Sequence, residues 1–428
     1  MSIENDSQRY TNISSILYKA SQTIRILTHV EWSSNVRRQF FADQCKEFPK
    51  VNYPDFDASQ TLSIIADARQ LIKQTDVDNW LSRVATQIEY SACMLQATGT
   101  PQFYEYSEKL YGKPKNPFVD GKTTPLELAQ TFDKQIESFS HFDVGTPLPM
   151  CYLASDIAEQ MQFAVTELFG EDAPAVEIVD ELSANALASP KLIRIKRSAA
   201  FTDRDAKQLI SHEAHIHVAT SINGLNQPSL NILAAGHPGT TKTQEGLAVF
   251  SEFISGSIDL DRLRRLADRI LAIQMAIDGA DFLEVYRFFL DRTGHERQAY
   301  ENSRRVFRGG VLSGGAPFTK DGVYLEGLIR VLNFLKAIAT SGRADCFRLL
   351  FCGKLDIEEI PVLYKLEKMG LCKPAKYVPP WAQDARYLLS YLTCSTFFYK
   401  MDMAQVSQHY DELLQSIPQT GIQSVLKI

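Results

Sequence analysis

From Asp261 onward the apolar residues Leu263, Leu266, Ala267, Ile270 and Leu271 recur at i, i+3, i+4, i+7 and i+8, with Arg262, Arg264, Arg265 and Arg269 between them. That spacing predicts an amphipathic helix whose arginines form a solvated basic face. Phe282, Val285, Tyr286, Phe289 and Leu290 repeat the pattern and stop before Gly294, a residue type that ends helices. The same periodicity fills residues 8–46, 60–98 and 383–416. Strand signals are scarce. The clearest is residues 191–197, KLIRIKR, where Ile193 and Ile195 alternate with Arg194 and Lys196. Basic side chains along one face predict an edge strand.

Proline-containing breaks at 113–117, 145–149 and 374–380 punctuate this pattern. The first two separate an N-terminal helical region (1–115) from a core with the small sheet (150–345), and the third sets off a helical stretch within a C-terminal helical region (346–428). The expected fold is α+β and mostly helical. No internal repeat or low-complexity tract is visible.

Composition narrows the function classes. At 428 residues the chain is too long for one ordinary core. Its 45 Lys and Arg against 51 Asp and Glu give a net charge of −6 with no basic block, which argues against nucleic acid or an anionic membrane as partner. Glu4 and Asp6 stand where a secretory leader needs a basic start, and no apolar run approaches the roughly 20 residues of a membrane span. Seven cysteines are scattered without a CxxC pair, as suits reduced thiols in a cytoplasmic protein.

The chemistry concentrates in His212-Glu213-Ala214-His215-Ile216-His217. Upstream, residues 202–205 (TDRD) form a capping box, so the cluster falls on the third and fourth turns of a helix. H-E-x-x-H, the familiar zinc arrangement, is absent because position 216 is Ile. His212 with His215 (i+3) lies about 60° apart on an ideal helix, and His212 with His217 (i+5) about 140°. A π-type turn would bring the second pair together, and spacing alone leaves both open. Glu245, which opens another helical stretch in residues 243–248 (TQEGLA), is the candidate third ligand of a His₂Glu zinc site. Gly246 permits close approach beside it, and Glu252, one heptad on, is placed to orient a ligand histidine.

Three motifs occur in order: HEAHIH at 212–217, QEGLA at 244–248 and GGAPFTKDGVYLEG at 314–327. With LYGKP at 110–114 they resemble the bacterial flavohaemoglobin-expression-modulating QEGLA-motif proteins. Those are related to the microtubule-associated tyrosine carboxypeptidases, metallopeptidases with an H-E-x-x-x-H motif. The resemblance covers roughly residues 15–400. It implies a zincin-like catalytic core with a small sheet and flanking helices, and one zinc per chain held by His212, His217 and Glu245. It also implies Glu213 as general base and His215 as a neighbour. The relatives' tubulin-tail substrate is not carried over.

A zinc-dependent carboxypeptidase of this kind, removing C-terminal residues with aromatic ones favoured by analogy to the tyrosine-removing relatives, needs a cation for the terminal carboxylate. Lys320, Arg304, Arg305 and Arg308 are candidates, and Tyr324 is a candidate donor to the developing oxyanion. The partner is then a peptide or protein C-terminus. The strand at 191–197 precedes the metal helix, as in other zinc peptidases where an edge strand pairs with substrate. The alternative is a metal-binding regulatory or interaction protein without hydrolytic activity. Residues 236–243 (GHPGTTKT) lack phosphate-loop spacing, although His237 within them is an outside candidate for contact with the transition state. Gly309-Gly310 and Gly314-Gly315 predict a flexible loop, either a lid or a turn.

Overall fold

Thr202 and Asp205 bond as the capping box requires: the Thr202 hydroxyl accepts from the Asp205 amide at 3.1 Å, and the Asp205 carboxylate accepts from the Thr202 amide at 2.9 Å. A helix, Asp203–Leu209, starts there. Without a break it becomes a π-helical turn, Ile210–Val218, and then an α-helix again, Ala219–Leu225. The computed structural model describes residues 2–139, 152–180, 182, 185–199, 201–398 and 402–415. The break anticipated at 145–149 lies outside them.

Fold class is as expected, α+β and mostly helical. The largest apolar cluster draws on residues from Tyr10 to Leu392. Within it the helix Pro238–Ile254 packs on Val323–Ser341 and on the earlier helix Asp76–Gln96, against which Ser2–Gln22 lies. Gly246 lies where two of these backbones meet: a methyl group there would collide with the backbone of Gly327. The close approach foreseen for Gly246 is therefore between helices.

The sheet has three strands, β1 (Ala175–Val179), β2 (Ala186–Ala188) and β3 (Leu192–Lys196), in the order β1-β3-β2. β3 runs parallel to β1, with Ala175 opposite Leu192, and antiparallel to β2, with Ala186 opposite Ile195. It is the central strand, which corrects the expectation of an edge. Ile193 and Ile195 are fully buried against the helix Ala154–Phe169 while Arg194 is exposed. One face of the sheet is covered and the other open, so basic side chains mark the open face of a strand and not its place in the order.

A further expectation is corrected. The helix Leu260–Ile277 forms as predicted, yet its arginines are not a uniformly solvated face, since Arg262 is only 8% exposed. Arg262 and Arg269 stand at i−4 and i+3 from the buried Leu266 and border the apolar stripe. The double-glycine stretch, expected as a lid or a turn, forms turns. Residues 307–310 and 316–321 are buried, and a side chain at Gly314 would strike the backbone of Gly279.

Candidate metal centre

The π-helical turn is held from two sides. Ala214 and Val218 pack into the cluster beneath the sheet, while Ile216 joins the large helical core. Residues two apart lie about 200° apart on a helix, so the turn reaches both cores at once, and its i→i+5 bonding closes the angle between residues five apart. As a result His212 and His217 come together, their ring centroids 4.8 Å apart. The residues alone had left the i+3 and i+5 pairs open; the fold brings together the i+5 pair. His215 stays outside the cluster, and burial lowers its pKa to about 4, so it is neutral near pH 7.

Glu245 arrives from Pro238–Ile254. Its Oε2 lies 3.6 Å from His212 Nε2 and 3.5 Å from His217 Nε2, too far for good hydrogen bonds. That oxygen is buried and has no hydrogen-bond partner among the described residues. One ligand-type atom from each of His212, His217 and Glu245 falls within 4.8 Å of the others. Two imidazole nitrogens and a carboxylate oxygen turned toward one point, without bonding each other, could hold a metal ion.

The neighbouring QEGLA residues each have a local task. Gln244 Oε1 accepts from the Thr220 hydroxyl at 2.8 Å, tying this helix to the one that carries the histidines. Leu247 and Ala248 are fully buried in the core.

Behind His212, Glu252 accepts from His212 Nδ1 at 2.6 Å, from Arg262 through two bonds of 2.9 Å, and from Gln208 Nε2 at 2.9 Å. Donation from Nδ1 leaves Nε2 as the ring atom facing Glu245. Burial lowers the His212 pKa, but the Glu245 and Glu252 carboxylates outweigh it and raise the pKa to about 10, so a metal at Nε2 would displace a proton. Burial pushes the Glu252 carboxyl up, but Arg262 and His212 outweigh it and hold it at about 2. Glu252 thus orients His212, as its sequence position suggested. Arg262 and Gln208 were missed; the one legible signal was Arg262 bordering an apolar stripe. Lys354, whose ammonium donates to the His217 carbonyl at 3.2 Å, had no sequence signal.

Glu213 follows His212 and makes no hydrogen bond or ion pair among the described residues; its charge is felt at both His212 and Lys354. Lys320 Nζ is 3.2 Å from Glu245 Oε1 and 5.3 Å from the Tyr324 ring centre, and Arg269 also stacks on Tyr324 at 5.3 Å. Arg305 is committed to a two-pronged pair with Asp321. Arg304 pairs with Glu301 of its own helix at 2.7 Å. Of the anticipated substrate cations, Lys320 alone touches the histidine–carboxylate cluster. Arg308 is buried over Phe318 at 5.7 Å.

Residues 38–400 match the family model for the microtubule-associated tyrosine carboxypeptidases. No curated protein matches the sequence. Among solved structures, a Colwellia psychrerythraea protein described as a lipoprotein is similar at 15% identity with a TM-score of 0.40. That match covers 83% of this chain and 66% of the other, so the chain spans just under two thirds of that relative. No helix among the described residues is long and apolar enough to cross a membrane.

Proposed function

The chain belongs to the microtubule-associated tyrosine carboxypeptidase family, and on that premise we propose that it is a zinc-dependent carboxypeptidase. It acts on peptide or protein C-termini and favours aromatic residues such as tyrosine. The observation that carries the zinc is Glu245 Oε2, buried, unpartnered and facing two imidazole nitrogens at 3.5 and 3.6 Å. Lys320 meets the other oxygen, Oε1, at 3.2 Å, which leaves Oε2 turned to the two imidazoles, and His₂Glu is a common donor set of catalytic zinc.

His212, His217 and Glu245 hold the ion in this reading. Zinc would lower the pKa of a water toward about 7 and polarise the scissile carbonyl. Glu213 takes the proton from the water as its oxygen adds to the carbonyl carbon, and then gives it to the leaving amine nitrogen. Its lack of any other partner leaves it available for that exchange. Tyr324 donates to the oxygen on which negative charge develops. Lys320 supplies the fixed charge for the substrate's terminal carboxylate.

Replacing Glu213 with Gln separates binding from chemistry. The variant should keep one zinc per chain by elemental analysis and lose about 10²–10⁴ in kcat on a free-acid peptide. Hydrolysis at the parental rate would sink Glu213 as the base. Absence of a transition metal from the reconstituted parent would sink the zinc.

A further inference from the structure

A pocket of about 180 Å³ opens beside Lys320, lined by Ile24, Ile26, Ile88, Tyr111 and His237 among others. It is far smaller than a site for a drug-sized ligand and suits one side chain. Because Lys320 both borders this pocket and touches Glu245, the pocket adjoins the histidine–carboxylate cluster.

His237 caps the helix that carries Glu245 eight residues on, with Thr241, another lining residue, midway. Thr241 and Glu245, four apart, share a face, and the rise places His237 about 12 Å from Glu245 along the axis. A group there meets the tip of a long side chain and not the carboxylate beside the scissile bond. The stem would run between isoleucines.

His237 is 7% exposed, and its Nδ1 is buried with no hydrogen-bond partner among the described residues. Its carbonyl is already used by the hydroxyls of Thr240 and Thr241, so the ring alone is free to act. An unpaired buried polar atom costs about 1–3 kcal/mol, a penalty that a ligand atom can relieve. Burial pushes the His237 pKa down to about 4, so the ring is neutral near pH 7 and suits an uncharged partner better than an acid.

We infer that this pocket takes the side chain of the departing C-terminal residue and that His237 is the specificity-determining group, bonding a hydroxyl at its tip. The inference rests on the carboxypeptidase reading above. A side chain apolar along its length with a hydroxyl at its end is tyrosine. Phenylalanine would fill the same space and leave His237 unpaired, and sites built around such a bond reject the analogue that lacks it.

The test compares one peptide ending in Tyr or Phe, as free acid and as amide. The parent should prefer Tyr by about ten- to a hundredfold in kcat/KM, the worth of one bond to an otherwise unpaired buried group. In His237→Phe the preference should fall close to one, and His237→Gln should restore part of it. Gly239→Ala is a second route, since its methyl would lie 3.0 Å from His237 Cε1 and 3.1 Å from Nδ1 and displace the ring. A parent indifferent to the hydroxyl, or a preference that survives both His237→Phe and Gly239→Ala, overturns the inference. Equal cleavage of free acid and amide defeats the carboxypeptidase reading instead. Calorimetry with free L-tyrosine and L-phenylalanine then decides the pocket separately: tighter tyrosine binding lost in His237→Phe upholds it, and equal affinities in the parent overturn it.

Discussion

The two sides of the His212–His217–Glu245 cluster are built on opposite rules. On the Glu252 side both carboxylate oxygens are engaged by His212, Arg262 and Gln208, and the carboxylate is fully buried. On the Lys320 side there is a pocket, and polar groups such as His237 Nδ1 lack partners. A saturated network fixes geometry, because any rotation breaks several charge-assisted bonds at once. An unsaturated wall stores unmet bonding capacity that a ligand can meet. In the proposed reading the first side holds and the second recognises.

The sharpest way to break this comparison lies between the sides. His217→Ala should abolish zinc binding and reduce hydrolysis to background, whereas His215→Ala should leave metal content unchanged; elemental analysis of both variants decides. The reverse result would mean that His215 is the ligand.

Next in size is Glu252→Ala. It leaves Arg262 buried without its partner, at a cost of about 3–5 kcal/mol, and frees His212 to turn, lowering zinc affinity by about 10–100-fold. Denaturant unfolding and chelator competition read the two effects. Lys320→Met probes the other side. Metal content should stay at one per chain while the preference for free-acid over amidated peptides shrinks by about 10–100-fold, the worth of a bond to a charged group.

The smallest effect comes from a similar clamp far from the site. Asp78 is also fully buried and takes a two-pronged bond from Arg9 and another from Thr75. Asp78→Asn should cost about 1–3 kcal/mol of stability and leave zinc binding untouched, in contrast to Glu252→Ala. Burial raises the Asp78 carboxyl, but Arg9 and Thr75 bring it down to about 2, below the value near 4 of an unfolded chain. The contribution is therefore complete above about pH 4 and is lost as pH falls through about 2. Unfolding measured against pH should show the gap between parent and Asp78→Asn closing over that interval.

Much of the site was legible because it is written in short-range chemistry. The helix start at Thr202 follows from four consecutive residues, and His212, Glu213 and Glu245 belong to motifs of a few residues each. Glu252 could be placed from helical spacing alone. Arg262 was misread as solvated because periodicity reports a helix's own faces and not what packs beside them. The strand at 192–196 was misplaced in the sheet for a similar reason: alternation records which face is covered, while strand order depends on partners at 175–179 and 186–188.

The sequence by itself therefore determined the local elements: which stretches coil, where they begin, and which residue types sit at metal-ligand spacing. The pairing of His212 with His217 became visible only in the tertiary structure, because spacing along one helix is compatible with either pair, and the π-helical turn that joins the i+5 pair lies between two cores, one receiving Ala214 and Val218 and the other Ile216. The pocket was also decided there, since its walls come from residues as far apart as Ile24, His237 and Lys320. Each residue's chemistry is local, but a cavity and an unmet hydrogen bond are properties of what the rest of the chain leaves unfilled.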